Sequence, residues 1–313
     1  MKRSLFRILV IWGFVLFLSA LLGRTTIASD NGRASADFLN IGISARSAAL
    51  GGAFTSIADD ASASYWNPGG LTALECAQIS FSHFTWYQGL NFNFLGAAFP
   101  VSDRLTLAVN TEYLSYGEIE GYDADDNPIG DIGSTYDLAA GVAGGYRLTD
   151  NLSVGVGLKY IIVSLANVKA TALAADLGLR FQTGKFLFGL ASSNIGQSLT
   201  FYDAGNKLPA NIRAGLGYRP FGSSFLVSAE VENQFYGNLA IKNGFEFNYH
   251  QRYFIRTGYS FFPSQDGRNL GQSMTFGVGA LLGAAQFDYS FSPKENFSAE
   301  NIHRISISLR MGN

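Results

Sequence analysis

The chain has 313 residues, of which 15% are charged and 14% are aromatic, and 36 are glycines. Disordered chains carry few aromatic residues and a high net charge, so this composition excludes disorder. A single cysteine excludes a disulfide framework within the chain. The net charge of −2 argues against a nucleic-acid-binding protein, which would carry a basic surface. The low charge and the many glycines and aromatic residues favour many strands in an apolar setting.

The first 29 residues are typical of a secretory signal peptide. Three basic residues precede an apolar run at 8–22, and small residues follow near 28 and 29. A membrane-spanning helix needs about 20 apolar residues, so an uncleaved anchor, the alternative, fits this shorter run less well. We therefore predict export with cleavage near residue 29. No later apolar run is long enough for a spanning helix.

After residue 30, apolar and polar residues alternate with the two-residue period of β-strands. In 152–160, Leu, Val and Tyr occupy every second position, and Ser, Gly and Lys occupy the positions between them. The charged residues of the predicted strands lie on the register opposite the apolar set. The predicted interior-facing charges are Glu112, Asp137, Arg147, Lys159, Asp176, Arg180, Arg213, Glu230, Glu232, Glu246, Arg256 and Asp288. They are interpreted as salt-bridged filling, with ion selectivity of an open pore as the alternative.

Strands with one apolar face fit either a soluble sandwich or barrel, or a transmembrane barrel whose apolar faces meet lipid. The membrane is favoured because small residues on the polar faces suit a crowded interior, and Tyr and Phe gather near strand ends as interfacial girdles do. We count 14 strands, from 77–86 to 301–311, and every second connection is tight. The prediction is an all-β fold: a transmembrane antiparallel β-barrel of the outer membrane at 76–313. Counts of 12 and 16 strands remain alternatives.

Residues 30–75 lack this alternation and are dominated by small residues. We predict short helical turns, broken at Gly51-Gly52 and at Asn67-Pro68-Gly69, that fold into the barrel as a hatch or plug. The alternative is a periplasmic arm that caps one end of the barrel. Asp59-Asp60 is assigned to a helix end or cap, because a metal site needs more oxygen ligands than this pair supplies.

The stretch from Gly51-Gly-Ala-Phe to Asp59-Asp60, followed by Ala61-Ser-Ala-Ser-Tyr-Trp-Asn-Pro68, resembles the N-terminal signature of the PorV/PorQ family, within the FadL-like outer-membrane barrels. The ending at 302–309 resembles that family's closing strand. The resemblance implies a 14-stranded barrel with an N-terminal hatch. FadL proteins carry an Asn-Pro-Ala triplet in the hatch, which here reads Asn67-Pro68-Gly69. A second departure is the ending at 311–313, where barrels usually finish on an aromatic residue.

PorV-like proteins belong to the type IX secretion system and hold secreted proteins by a C-terminal signal domain. The resemblance therefore implies a non-enzymatic barrel that binds or shuttles exported proteins at the outer membrane, without a cofactor. The binding surface would include the loops 117–135 and 195–207. The first is acidic, with Glu118, Glu120, Asp123, Asp125, Asp126 and Asp131. Solvation of the loop is the alternative explanation of this charge.

FadL proteins pass long-chain fatty acids and other hydrophobic compounds, and this transport is the alternative function. It predicts an apolar pocket beneath the outer loops. The residues that could line this pocket, or belong to an aromatic girdle, are Phe81, Phe84, Trp86 and Phe92. A purely structural barrel is the third hypothesis.

An enzymatic function finds little support in the sequence. His303 and Ser306 are three positions apart in a predicted strand and therefore point to opposite faces. The chain contains no Gly-x-Ser-x-Gly sequence, phosphate-binding loop or zinc-ligand spacing. We therefore predict neither catalytic residues nor a metal.

Overall fold

The computed structural model describes residues 34–312, except 87–88, 118–119, 124, 132, 134, 167, 202–203, 236–238, 264–270 and 294–299. The predicted signal peptide lies outside the described residues. So do Glu118 and the side chains of Glu120 and Asp131 in the acidic loop.

Fourteen antiparallel strands form one closed barrel, which confirms the predicted all-β fold and strand count. The strands are β1 Ala77–Thr85, β2 Asn91–Pro100, β3 Leu105–Ser115, β4 Tyr136–Arg147, β5 Leu152–Leu165, β6 Val168–Thr183, β7 Phe186–Gly196, β8 Asn211–Tyr218, β9 Phe225–Gln234, β10 Leu239–Tyr249, β11 Tyr253–Phe262, β12 Gly271–Leu282, β13 Ala285–Ser292 and β14 Ile302–Met311. Each strand pairs with its sequence neighbours, and β1 pairs with β14 to close the ring, with Phe81 opposite Ile307.

The two ends of the barrel differ in their connections. At the tight-turn end, two to six residues join β2 to β3, β4 to β5 and each later pair in this order. Gly283 in one of these turns has a φ of 61°, which glycine adopts readily and other residues do not. At the loop end, most connections are longer, although only 166–167 joins β5 to β6. Two small hairpins lie there, one pairing Glu120–Tyr122 with Pro128–Asp131 and one pairing Leu199–Phe201 with Ala204–Asn206.

The outward face of the barrel is apolar. Val156 is 51% exposed, whereas Ser153 and Lys159 on the other face of the same strand are 4% and 6% exposed. Apart from Lys169 at the loop end, no described outward strand position carries Asp, Glu, Arg or Lys. An exposed apolar band of this kind marks a surface that contacts a membrane or another protein.

Aromatic residues cluster on the outward face near both ends of the barrel. At the tight-turn end, the rings of Phe186 and Tyr218 stack with 4.8 Å between their centroids. At the loop end, the rings of Tyr113 and Tyr136 lie 5.9 Å apart. Among the described residues, no helix combines the length and the apolar character needed to cross a membrane.

The N-terminal segment, defined here as residues 34–76, lies inside the barrel. It contains a 3₁₀ turn at Asp37–Asn40, helix α1 at Ala45–Ala49, helix α2 at Ala63–Trp66 and a second 3₁₀ turn at Pro68–Ala73. Helix α1 contacts β11 to β14, while the second 3₁₀ turn contacts β3 to β6 on another part of the wall. The segment therefore bridges the interior, and its apolar side chains form the core of the molecule.

The segment also runs along the barrel axis. The Ser35 backbone N–H donates to the carbonyl of Lys207 at the loop end, over 3.0 Å. Further along, the Ala61 N–H donates to Gln78 Oε1 near the tight-turn end, over 2.7 Å. Between these points, the Ala45 N–H donates to Ser306 Oγ over 2.7 Å, and the same hydroxyl donates to Ser82 Oγ over 2.9 Å. Ser306 thus joins the segment to both strands of the closing pair.

Inward-facing glycines let the segment touch the wall. A Cβ on Gly155 of β5 would lie 2.2 Å from the carbonyl carbon of Pro68, and one on Gly178 of β6 would lie 2.2 Å from Asn67 Oδ1. Real Cβ atoms do not approach other atoms so closely, so only glycine fits at these two positions. The many glycines of the sequence are therefore explained in part by this contact.

Candidate functional site: a cavity beside the N-terminal segment

A cavity of about 240 Å³ lies between the N-terminal segment and the loop-end halves of β10 to β14. Its floor comes from the segment and includes Ala48, Gly51, Gly52 and Trp66. Its wall comes from the strands and includes Lys242, Ser260, Phe262, Thr275, Ile302 and Arg304. The cavity thus lies on the loop side of the segment, which separates it from the tight-turn end.

The predicted hatch glycines Gly51 and Gly52 form part of this floor. Ser260 Oγ donates to the Gly51 carbonyl over 2.7 Å, and the Gly51 N–H donates to Thr275 Oγ1 over 3.2 Å. Gly51 has a φ of 64°, and a Cβ there would lie 2.8 Å from the Tyr259 nitrogen. Two strands therefore hold the floor in place through its backbone, where no side chain would fit.

Asn67, Pro68 and Gly69 lie on the β4 to β6 wall rather than in the cavity. The fully buried Asn67 amide donates to the Thr55 carbonyl over 2.8 Å and to the Leu179 carbonyl of β6 over 3.0 Å. Its Oδ1 accepts from the Gly69 N–H over 3.0 Å and so caps the second 3₁₀ turn. This motif fixes the segment to the wall, and its role in a moving hatch stays a prediction.

Asp59 and Asp60 take part in an ion-pair cluster that the sequence did not predict. Arg46 Nη1 lies 2.5 Å from Asp59 Oδ1 and 3.3 Å from Asp60 Oδ2. On its other side, Arg46 Nε lies 3.2 Å from Glu246 Oε2 on β10. Arg219 Nη2 approaches Asp59 Oδ2 to 3.2 Å. We call these four ion pairs the Arg46 latch; two of them, Arg46–Glu246 and Arg219–Asp59, join the segment to the barrel. The latch lies between the cavity and the tight-turn end.

The two aspartates of the latch differ in their acidity. Burial alone would raise the pKa of Asp59, but the neighbouring Arg46 and Arg219 outweigh it and leave this pKa below its usual value. Burial raises the pKa of Asp60 and here exceeds the opposing effect of Arg46. Asp60 also accepts a hydrogen bond from the N–H of Ser62, the residue that precedes helix α2, over 2.9 Å. Among the described residues, no group of three or more His, Cys, Asp and Glu could hold a metal ion.

The 12 predicted interior charges all lie on inward positions, and ten of them are buried. Arg147 and Arg180 are half-buried. Arg256 bridges Glu246 and Asp288, with 2.6 Å between atoms in each pair. A bridge of this kind offsets part of the cost of burying each charge. Arg256 thus joins inward charges of three strands through ion pairs.

Most of the remaining interior charges pair with one another or with polar groups. Lys242 pairs with Glu232 and lies 4.0 Å from Glu230, and Lys159 lies 2.9 Å from Asp176. Other partners are the Tyr116 hydroxyl for Asp137, the Thr72 carbonyl for Arg147, Gln182 for Arg180, and Ser193 with the Tyr65 carbonyl for Arg213. Glu112 is 1% exposed, and one of its oxygens has no hydrogen-bond partner among the described residues.

The four aromatic residues predicted to line a pocket or to belong to a girdle do not share one face of the barrel. Phe84 and Phe92 point inward, are 1% and 0% exposed, and stack with 5.0 Å between centroids. Trp86 packs against the same core. Phe81 is 43% exposed on the outward face, because it lies three positions from Phe84 in a strand with a two-residue period. Phe84 borders the cavity indirectly, since the Arg304 guanidinium lies 4.2 Å from its ring centroid.

Two residues of the cavity, Arg304 and Trp66, were absent from the predicted site. Within the described chain, Arg304 has no carboxylate within 4.0 Å, and its Nε is buried without a hydrogen-bond partner. The Nε1 of Trp66 is likewise buried without a partner there. Strand periodicity could have identified Arg304, because it shares its face with Ser306 and Ser308. Trp66 lies inside the N-terminal motif, but nothing in the sequence indicates that its ring borders a cavity.

Several solved structures with this fold are described as toluene transporters or as a monoaromatic hydrocarbon channel. The Pseudomonas putida toluene transporter TodX superimposes with a TM-score of 0.64, at 13% identity, over 87% of this chain and 99% of that chain. The Ralstonia pickettii toluene transporter TbuX gives 0.61 at 15% identity, over 87% and 99%. A Pseudomonas aeruginosa FadL homologue gives 0.60 at 10% identity, over 86% and 98%. The protein therefore has the FadL-like barrel fold.

No curated protein sequence matches the chain. A family model does match it over residues 23–311, and the chain belongs to that family, which is described as "Uncharacterised protein family (UPF0164)". The narrower resemblance to PorV/PorQ proteins rests on the N-terminal motif and the closing strand at 302–309. At identities of 10–15%, the similarity to the solved barrels shows a common fold and does not show a common substrate.

Proposed function

We propose that the protein is a non-enzymatic outer-membrane barrel that carries small, largely hydrophobic molecules across the outer membrane. The cavity on the loop side of the N-terminal segment carries this proposal, because it offers a binding site within a fold shared with toluene transporters. In this arrangement the loop end faces outward from the cell and the tight turns face the periplasm, as in other outer-membrane barrels.

The outward surface supports the placement in a membrane. Exposed Val156 and Leu158, at 51% and 59%, belong to an apolar band that lipid would cover. The aromatic pairs Phe186–Tyr218 and Tyr113–Tyr136 lie toward opposite ends of that band. Tyrosine and phenylalanine rings at such positions suit the two interfaces of a bilayer.

The N-terminal segment would act as the hatch of this transporter. A molecule in the cavity meets the floor at Gly51 and Gly52, and below it the Arg46 latch. Passage toward the tight-turn end therefore requires the segment to shift. Since Arg46 pairs with Glu246 on β10, breaking this ion pair would remove one of the contacts that hold the segment against the wall.

Binding of exported proteins is the second candidate function, favoured by the acidic hairpin at the loop end. Asp123, Asp125 and Asp126 are exposed there. Asp123 accepts hydrogen bonds from the N–H groups of Asp125 and Asn127, both over 2.9 Å, so this carboxylate also holds the turn. The likeness to hydrocarbon transporters supports transport better than cargo binding.

Uptake by intact cells tests the transport proposal. The protein is expressed in a lipopolysaccharide-bearing host without its own FadL-type transporter, and entry of labelled toluene is timed. We expect uptake to rise above the empty host and to fall again in Ser292→Phe, which fills the cavity. Ser224→Phe, on an exposed turn at the other end, is the matched control. Uptake equal to that of the empty host would overturn the proposal.

Copurification tests the second candidate. The tagged protein is isolated from native outer membranes in mild detergent and its protein partners are identified by mass spectrometry. Exported proteins that share a C-terminal domain, and that are lost in the triple variant Asp123→Asn, Asp125→Asn and Asp126→Asn, would favour cargo binding.

A further inference from the structure

We propose that the cavity binds a compact organic anion, a carboxylate attached to an aromatic or alicyclic ring, with its carboxylate held by Arg304 and Trp66. This inference rests on the proposed transport function and adds the class of substrate. It differs from transport of plain hydrocarbons, which have no group for these two donors.

The first observation is that the unsatisfied polar groups at the cavity are donors. Arg304 Nε and Trp66 Nε1 are each buried without a hydrogen-bond partner in the described chain. Both residues line the cavity. Buried N–H groups are almost always paired in folded proteins, because an unpaired donor has lost its water without compensation. An acceptor placed in the cavity would satisfy both.

The second observation is that the two donors border the same gap. A Cβ built on Gly42 would lie 3.4 Å from Trp66 Cζ2 and 3.7 Å from Arg304 Nη1. Cζ2 lies on the same edge of the indole as Nε1. Gly42 is itself a lining residue, so the space beside it faces both the indole edge and the guanidinium. One carboxylate, with its two oxygens, could accept from both side chains.

The third observation is an uncompensated positive charge. The cavity is lined by two cations, and Lys242 has Glu232 and Glu230 as partners. Arg304 has no carboxylate within 4.0 Å among the described residues, and its guanidinium lies over the Phe84 ring at 4.2 Å. The attraction between a guanidinium and an aromatic ring compensates only part of the hydration free energy that the guanidinium loses when it is buried. A bound anion would supply the missing charge, and a bidentate carboxylate suits guanidinium geometry.

The fourth observation concerns the size and surface of the site. About 240 Å³ is below the roughly 300–1,000 Å³ of pockets for drug-sized ligands, so the bound molecule is small. The Trp66 ring, Phe262 and Ile302 supply apolar surface, and Gly51 and Gly52 add no side chains to the floor. A single ring bearing one carboxylate combines the required charge with a body that these walls can cover.

Benzoate and toluene are the matched probes, since they share the ring and differ in the carboxylate. The full chain is purified in a non-ionic detergent with Trp86→Phe, which leaves Trp66 as the only tryptophan beyond the predicted cleavage site. Binding is followed by Trp66 fluorescence and by equilibrium dialysis of labelled ligand. We expect benzoate to bind at least about tenfold more tightly than toluene, as expected for a site built around a hydrogen-bonded group.

The decisive variant is Arg304→Gln. A hydrogen bond to a charged group contributes about 1.5–3 kcal/mol, so benzoate affinity should fall about 10- to 150-fold while toluene affinity stays unchanged. Arg310→Gln is the matched control, because Arg310 lies on the same register of β14 at the tight-turn end, is exposed and is absent from the cavity lining. Arg304→Lys, which keeps the charge, should lose less than Arg304→Gln.

The outcomes separate this inference from the transport proposal. Equal binding of toluene and benzoate, with no effect of Arg304→Gln, would overturn the inference and leave hydrocarbon transport standing. If neither probe binds and toluene is not taken up, both the inference and the transport proposal are overturned. If Arg304→Gln fails to assemble, seen as loss of heat-modifiable migration, Trp66→Phe carries the test by dialysis. Loss of one neutral donor should lower the affinity for benzoate about two- to tenfold. An unchanged affinity would count against the inference.

Discussion

Arg46 of the N-terminal segment and Glu246 of β10 are joined by an ion pair, with 3.2 Å between Arg46 Nε and Glu246 Oε2. The same guanidinium reaches Asp59 and Asp60 through Nη1. Glu246 in turn receives Arg256 from β11 over 2.6 Å. Arg46 is therefore linked through Glu246 to the ion pairs of the barrel wall. We expect the stability of the segment to depend on Arg46.

Arg46→Met should release the segment and lower the free energy of unfolding by about 3 kcal/mol, because it leaves buried carboxylates without their cation. The measurement is urea unfolding in detergent micelles. Arg252→Met is the control, since Arg252 is exposed in a tight turn. Equal losses in the two variants would contradict the latch. We also expect faster toluene uptake in Arg46→Met if the latch restrains the hatch.

The latch should weaken in acid through Asp59, whose pKa lies below its usual value of 3.8. A carboxyl group with a lowered pKa stabilises the fold above the pKa of the unfolded chain and loses this effect as the pH falls through its folded pKa. The difference in unfolding free energy between wild type and Asp59→Asn should therefore be full at pH 7 and shrink below about pH 4. A difference that is constant down to pH 3 would refute this.

Asp60 should behave in the opposite sense, because burial raises its pKa. The ionised form of such a group is disfavoured in the fold, so its cost is present at neutral pH and is relieved as the pH falls. Asp60→Asn should accordingly cost less stability at pH 7 than Asp59→Asn. Urea unfolding of both variants at pH 7 checks the order, and the reverse order would count against the assigned pKa directions.

Gly155→Ala should displace the segment from the wall, because a Cβ there would lie 2.2 Å from the Pro68 carbonyl carbon. Overpacking of this kind costs about 1–3 kcal/mol. Gly144→Ala is a matched control in the adjacent strand, since its Cβ would meet only Leu107 at 3.4 Å and the Thr106 carbonyl at 4.0 Å. Equal unfolding midpoints for the two variants would show that the segment does not press against β5.

Val156→Arg should impair assembly, because it places a charge on the outward face and costs about 2–4 kcal/mol near the centre of a bilayer. Val156 is 51% exposed in the middle of β5. Asp103→Arg, in an exposed tight turn, adds the same residue outside the apolar band and should assemble normally. Heat-modifiable migration in detergent gels measures assembly. Normal assembly of Val156→Arg would argue against lipid at this face.

The barrel could be predicted because the alternation of apolar and polar residues is visible within each strand by itself. The alternation that puts Val156 outside and Lys159 inside is local in sequence, and a slip of one residue would reverse every side chain. The same rule explains an error: Phe81 and Phe84 were grouped although three positions separate them. It also reveals an omission, since Arg304 lies an even number of residues from Ser306.

The contacts of the N-terminal segment could not be predicted, because they join residues far apart in the chain. Arg46 and Glu246 are 200 positions apart, and no periodicity connects a short helix with the strand that it will meet. The indole of Trp66 borders the cavity beside Gly42, which lies 24 positions earlier in the chain. Such contacts depend on the path of the segment inside the barrel, and this path cannot be read from residue types and their spacing.

Ser306 has a consequence for how the molecule unfolds. Its hydroxyl accepts from the Ala45 N–H and donates to Ser82 Oγ, so one atom belongs both to the packing of the segment and to the junction of the first and last strands. Opening that junction removes a partner from the segment, and withdrawing the segment removes a partner from the junction. Seating of the segment and closure of the ring are therefore coupled, and we expect them to be gained and lost together in one cooperative transition.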